Sequence, residues 1–365
     1  MPSILRSRKA RWAVPIAAVT AVGAAIGAGA IAGASSPDLP DKTAAELLIA
    51  VKDSAQPFSG TVVQTSRLGL PELPESATAE GGPLTLLTGS HTARIWYSSP
   101  DQARVALMDQ LDETNVIRNG EDVWVWSSQT NTAQHAVVPP HADTGRVPPE
   151  LPISPGEAAA DLLAAIDPST EVVVDGTAEV AGRAAYELVV SPRDDRSLIE
   201  DIRLAVDGAT SMPLRVQVNS TGGEEPAFEV GFTSVTFGEP SDDVYRFNPP
   251  PGATVDELDL ADLQAHKRSG PPAGLDGPAV RQRPTVVGAG WTSVLVVPDV
   301  TLPAGDQDGV LDAILAGTSG VSGSYGSGRL LETELVSVLL LDDGRLLVGA
   351  VEPEVLFDAA AGAAS

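Results

Sequence analysis

From Glu171 to Thr233 apolar residues return at every second position. Tyr186, Leu188 and Val190 share one side, as do Ile202, Leu204 and Val206, then Leu214, Val216 and Val218, then Phe228, Val230 and Phe232. The positions between them include Glu187, Arg203, Arg215, Gln217, Glu229 and Thr233. Side chains alternate across a strand, so a period of two means strands with one apolar and one wet face. Such strands belong to antiparallel sheets. Turn residues stand between them at hairpin spacing, at Asp207-Gly208 and at Thr221-Gly222-Gly223.

The same reading extends upstream. Strands are expected at 59–66, 91–98, 103–109, 114–118 and 121–127. Asn119-Gly120 lies between two of these runs, and both of its residues tolerate the positive φ of a tight hairpin. Residues 43–53 read as a helix, with Leu47, Leu48 and Val51 at helical spacing. Ser154-Pro155-Gly156-Glu157 reads as a helix start, with Ser as N-cap, Pro at N1 and Glu at N3; that helix runs to Ile166. About ten strands against two helices exclude a parallel α/β fold.

Proline marks the joints. Residues 69–83 and 139–155 read as loops. The stretch 249–284 holds Pro249-Pro250-Pro251 and Pro271-Pro272. The expected organisation is a domain over 40–255, a linker over 256–284, and a small α+β domain over 285–361. In the latter, strands are expected at 291–297, 328–340 and 345–351, and helices at 307–316 and 354–361.

Arg6, Arg8, Lys9 and Arg11 precede an uncharged run from Trp12 to Pro37, rich in Ala and Gly. A basic head, an apolar stretch and small residues have the form of a secretory signal. Ala32-Gly33-Ala34 supplies a cleavage site before Ser35. The alternative is an uncleaved membrane anchor, since the run is long enough to span a bilayer. Residues 1–34 are therefore a signal peptide or an anchor, and both readings place the remainder outside the cytoplasmic membrane.

Composition removes several function classes. The chain has 23 Lys+Arg against 49 Asp+Glu, a formal net charge of −26. Nucleic-acid binding rests on cations that neutralise phosphates, so no nucleic-acid partner is expected. With no Cys there is no disulfide, thiolate metal site, thiol nucleophile or lipidated cysteine. His91, His135, His141 and His266 show no metal-ligand spacing and read as surface residues. Asp194-Asp195, Asp242-Asp243 and Asp342-Asp343 read as turns. The Gly-rich run 320–328 lacks the Lys-Ser/Thr ending of a phosphate loop and reads as a flexible loop. No G-x-S-x-G elbow occurs. The expectation is a non-enzyme with no catalytic residue, no metal and no cofactor.

What remains is apolar surface. Trp124 and Trp126 are two apart and share one face of a strand, and Trp96 lies on a nearby strand. With Tyr186, Leu188, Leu204, Val206, Leu214, Val216, Phe228, Val230 and Phe232 they are candidates for the lining of one concave face. An ordinary core under the two helices is the competing account of each residue. Two short helices are little cover for so many strands, and an uncovered apolar face suits an acyl chain.

Several stretches taken in order resemble the LolA-like superfamily, especially the exported LolA/RseB-type proteins of high-GC Gram-positive bacteria. They are Thr43-Ala44-Ala45-Glu46-Leu47-Leu48 leading to Phe58-Ser59-Gly60-Thr61-Val62, and Val116-Ile117-Arg118-Asn119-Gly120 with Val123-Trp124-Val125-Trp126. Tyr186-Glu187-Leu188-Val189-Val190, Leu204-Ala205-Val206-Asp207, Pro213-Leu214-Arg215 and the closing Phe247-Asn248-Pro249-Pro250 follow. The resemblance covers residues 40–255. It implies a mostly β, α+β fold: an unclosed antiparallel half-barrel with covering helices that binds lipid or lipoprotein acyl chains. The linker and the small C-terminal α+β domain resemble the layout of RseB, which implies a membrane-bound anti-sigma factor or other membrane protein as the alternative partner.

Overall fold

In a computed structural model of the chain, residues 39–52, 54, 56–70, 87–108, 112–138, 154–258, 284–300 and 310–362 are described. The expected signal or anchor, the cleavage site, most of the two expected loops, His141 and His266 lie outside them. Among the described residues, no helix is long and apolar enough to cross a membrane.

Twelve strands make the larger sheet. They are β1 (Phe58–Arg67), β2 (Thr88–Ser99), β3 (Gln102–Met108), β4 (Glu113–Asn119), β5 (Asp122–Ser127), β6 (Thr132–Val137), β7 (Thr170–Val180), β8 (Arg183–Pro192), β9 (Ile199–Asp207), β10 (Pro213–Ser220), β11 (Phe228–Phe237) and β12 (Thr254–Leu258). Their order is β12-β6-β5-β4-β3-β2-β1-β11-β10-β9-β8-β7, so the two ends do not pair and the sheet stays open. Two antiparallel meanders, β2–β6 and β7–β11, lie side by side. β1 joins them by pairing with β2 on one side and β11 on the other. The edge strand β12 runs parallel to β6. The expected open, mostly antiparallel sheet with few helices is what the chain forms.

Local chemistry sets the element ends. Between β4 and β5, Asn119 pairs with Asp122, and only Gly120 takes a positive φ, of 67°. The two-residue loop is therefore Gly120-Glu121, shifted by one from the Asn-Gly expectation. Glycine leads the loop because its missing Cβ removes the clash there. Helix α1 (Ala44–Lys52) starts at Thr43, whose hydroxyl accepts from the Glu46 N–H while the Glu46 carboxylate accepts from the Thr43 N–H. Helix α2 (Pro155–Ala165) starts with the expected capping box between Ser154 and Glu157. Each such cap contributes about 1 kcal/mol.

Both helices pack on one face of the sheet. Leu47 and Val51 of α1 and Ala159 and Leu162 of α2 join a single core cluster with Val62, Leu188, Leu204, Leu214 and Val230.

The smaller sheet holds β13 (Thr285–Val287), β14 (Val294–Val297), β15 (Ser319–Gly323), β16 (Gly326–Glu332), β17 (Ser337–Leu341) and β18 (Leu346–Gly349), in the order β13-β14-β18-β17-β16-β15. Helices α3 (Val310–Ala316) and α4 (Pro353–Gly362) accompany it. Leu339, Leu347 and Leu356 centre a second core.

The small unit is fastened to the large sheet. Trp291 enters the larger core and its Nε1 donates to Thr170 Oγ1 at 2.9 Å. Ser197 bridges to Val351, the Glu334 N–H donates to Leu68 O at 2.9 Å, and Ser220 Oγ donates to the Glu334 carboxylate at 2.7 Å.

Several expectations need correction. Trp291 sits in a 3-10 turn, Gly290–Thr292, and the strand begins only at Val294. The expected strand 328–340 is two strands, because Thr333–Val336 turns back on itself through the Thr333 N–H and Val336 O. The glycine-rich run is a hairpin, with Ser319 paired to Leu330 and Gly323 to Gly326. β6, β12 and β13 were not expected; the first three residues of the expected linker belong to β12.

Candidate functional site

Strand register divides the twelve candidate residues between two faces. Directly paired residues point to the same side of a sheet. Following Val172–Val190–Ile202–Val218–Phe228–Ser66 and Val174–Leu188–Leu204–Val216–Val230–Gln64 across the strands defines an inner face. Tyr186, Leu188, Leu204, Val206, Leu214, Val216, Val230 and Phe232 are buried in the core cluster, and Phe228 packs against it half-exposed. The Tyr186 hydroxyl donates to Pro40 O at 2.6 Å. These nine residues are brought together, beneath or beside the helices.

The three tryptophans are not among them. Trp96 pairs with Ser59 and Arg104, Arg104 with Ile117, and Ile117 with Trp124. Ser59 points away from Phe58 and the core, so Trp96, Trp124 and Trp126 all lie on the outer face. The expectation of one concave face shared by the tryptophans and the later strands is corrected on this point. Their actual cover is the segment after β11. Phe247 lies 5.2 Å from Trp124 and 6.2 Å from Trp126 between ring centroids. Arg104 donates to Val244 O at 3.1 Å, and the Tyr245 hydroxyl donates to Ser98 Oγ at 3.3 Å. Trp96 carries the guanidinium groups of Arg94 and Arg104 at 5.1 and 5.3 Å from its ring.

His135 belongs to this outer patch and is no ordinary surface histidine. Its side chain is 14% exposed, stacked on Trp124 at 4.2 Å. One ring nitrogen meets Glu257 of β12 at 2.8 Å and the other Asp122 of β5 at 2.9 Å. Burial on its own lowers the His135 pKa; the hydrogen bonds and charges of the two carboxylates outweigh it, and the ring titrates above its ordinary value. The arrangement is a clasp on the sheet edge.

The inner face continues past the helices. Val105 pairs with Ile95 and Val116, and Val116 with Val125; Leu107 pairs with Ala93, and Val123 with Arg118. Val105, Leu107, Val116, Val123 and Val125 are half-buried, unlike their counterparts on β8–β10. Neither α1 nor α2 packs extensively on β3–β6 from this side. The result is an apolar strip continuous with the core and incompletely covered. At its border, Gln64 of β1 is 0% exposed, and neither atom of its carboxamide has a hydrogen-bond partner.

Sequence reasoning passed over the valines because the tryptophans beside them are larger. The signal was present in the β4–β5 turn. Once Asn119 faces Asp122, Ile117 must face Trp124 and Val116 must face Val125, which separates aromatic from valine faces.

Residues 88–252 match the model of the MucB/RseB N-terminal domain. No curated protein matches the chain. Among solved structures, one of MucB in complex with MucA(peri) is 17% identical with a TM-score of 0.40, covering 87% of this chain and 97% of that one. The MucA/MucB complex of Pseudomonas aeruginosa is 18% identical with a TM-score of 0.40, covering 87% and 96%. A LolA superfamily protein of Nitrosomonas europaea is 11% identical with a TM-score of 0.24, covering 57% and 99%. Residues 88–252 are thus similar to the MucB/RseB N-terminal domain, in keeping with the RseB-like resemblance read from the sequence.

Proposed function

We propose that the chain is a non-enzymatic, extracytoplasmic protein that takes a lipid or lipoprotein acyl chain on the inner face of its large sheet. The observation that carries this reading is the half-covered strip of Val105, Leu107, Val116, Val123 and Val125 beside a packed core. Apolar surface left in water costs about 25 cal/mol per Å², and an acyl chain laid on it recovers that term. The chain would run from the strip toward Phe228 at the edge of the packed half.

Solvent extraction of the purified protein followed by mass spectrometry is the direct test, with displacement of a fluorescent acyl probe as the binding assay. Lipid in the extract and saturable displacement are expected. Because the tryptophans lie across the sheet, their own emission is a poor readout. Folded protein that yields no lipid and binds no probe would remove the carrier reading.

The MucB/RseB match favours a second reading, a regulator that binds a membrane-bound anti-sigma factor or another membrane protein. The two readings are compatible if bound lipid controls the partner. Partner capture that is indifferent to lipid would separate them.

A further inference from the structure

Gln64 is out of place. It stands on β1, the seventh of twelve strands in the sheet, where the helix-packed half meets the uncovered half. On the inner face its neighbours are Val62 and Ser66 along the strand, His91 on β2 and Val230 on β11. Its side chain is fully buried, yet both Nε2 and Oε1 lack a partner. A buried carboxamide without hydrogen bonds destabilises a fold relative to an apolar residue of the same size, so its presence needs another reason. A primary amide is also specific in what it matches. Its nitrogen donates to a carbonyl oxygen, and its oxygen accepts from an N–H or O–H.

The surroundings narrow the class of ligand. Among the described residues, the inner positions of β1, β2, β10 and β11 carry no lysine or arginine. A free carboxylate drawn to this depth would meet no lysine or arginine, at a high desolvation cost. A bare hydrocarbon would leave the Gln64 N–H groups unmatched, and an ether oxygen is a weaker acceptor for them than a carbonyl. A neutral carbonyl linkage meets them. The half-covered residue Leu107 begins the open strip two strands away, about 10 Å at ordinary strand spacing, which an acyl chain spans easily.

We infer that Gln64 is the polar anchor of the acyl-chain face, donating from Nε2 to the carbonyl oxygen of an ester- or amide-linked acyl chain. The inference rests on the acyl-chain reading above and adds to it the kind of linkage the site selects. Burial of Gln64 requires that the cover over β1 shift when the linkage arrives, so binding and local opening are coupled.

The test uses two probes with the same C16 chain and the same neutral head group, one joined through an ester and one through an ether. Full-length wild-type protein is expected to bind the ester about fivefold more tightly, the difference between a carbonyl and a weaker ether oxygen as acceptor for the same donor. Gln64→Leu is expected to bring the two affinities within about twofold of each other, chiefly by loss of ester affinity, and to raise the melting temperature. Equal wild-type affinity for ester and ether overturns the anchor while leaving the carrier reading in place. Binding of neither probe by folded wild type overturns both. If Gln64→Leu does not fold, the wild-type ratio still decides.

Discussion

The two halves of the large sheet carry the same alternation but differ in cover. On β8–β11 the inner residues Leu188, Leu204, Val216 and Val230 are buried under or beside α1 and α2. On β3–β5 the inner residues Val105, Val116 and Val125 are half-exposed, and the outer side is the better sealed, with Ala106, Asn115 and Ile117 buried beneath the Tyr245–Phe247 segment. Strand pattern therefore says which residues share a face, and the placement of helices and loops decides whether that face becomes core or binding surface. The packed half is suited to hold the fold together and the open half to exchange its cover.

The sharpest way to break this division is to truncate one inner residue in each half. Leu204→Ala in the packed half is expected to cost about 3 kcal/mol, the usual range for a fully buried leucine. Val125→Ala in the open half is expected to cost about 1 kcal/mol or less while weakening acyl binding severalfold. Urea unfolding and probe displacement on the same preparations measure both. Equal stability losses would mean that the open half is ordinary core.

A smaller effect is expected at the seam. A Cβ on Gly60 would lie 2.6 Å from Ser234 O and 2.8 Å from the Phe232 ring. Gly60→Ala must push β1 from β11, at about 1–3 kcal/mol. Hydrogen exchange should show the loss concentrated along β1 and β11. An even loss across both meanders would mean that the seam is no weak point.

The smallest effect belongs to the far edge and depends on pH. The folded-state pKa of His135 lies above its unfolded value of about 6.5, so its clasp contributes fully below that pH and fades as pH rises through the raised value. His135→Gln is therefore expected to lose stability relative to wild type at pH 5.5 and to match it more closely at pH 9. A difference that grows with pH would exclude the charged clasp on Asp122 and Glu257.

Much of this was legible in the residues. Alternation from Tyr186 to Phe232 gave the inner face of β8–β11, and Ser154 with Glu157 gave the start of α2. β6 was missed because each face of Thr-Ala-Gln-His-Ala-Val mixes polar and apolar residues, so the segment shows no alternation. β12 was missed because Thr-Val-Asp-Glu-Leu reads as linker until β6 supplies a partner. The tryptophans were assigned to the wrong face for a different reason: i, i+2 spacing shows that Trp124 and Trp126 share a side, but only cross-strand register says which. Gln64 looked like one polar residue in a weakly patterned strand, and its isolation exists only in three dimensions.

The position of β1 has a consequence for how the chain matures. Its first partner, β2, follows almost at once, but its second is residues 228–237. At ordinary rates of synthesis that interval is on the order of ten seconds. Throughout it, the middle of the future sheet is an edge, with the backbone N–H and C=O groups of β1 open to any strand that passes. Closing the seam requires a loop of most of the domain, which makes it a late and slow event. The strand at the centre of the finished sheet is thus the one whose pairing is completed among the last, and the period before that closure is when this chain has most need of protection from its neighbours.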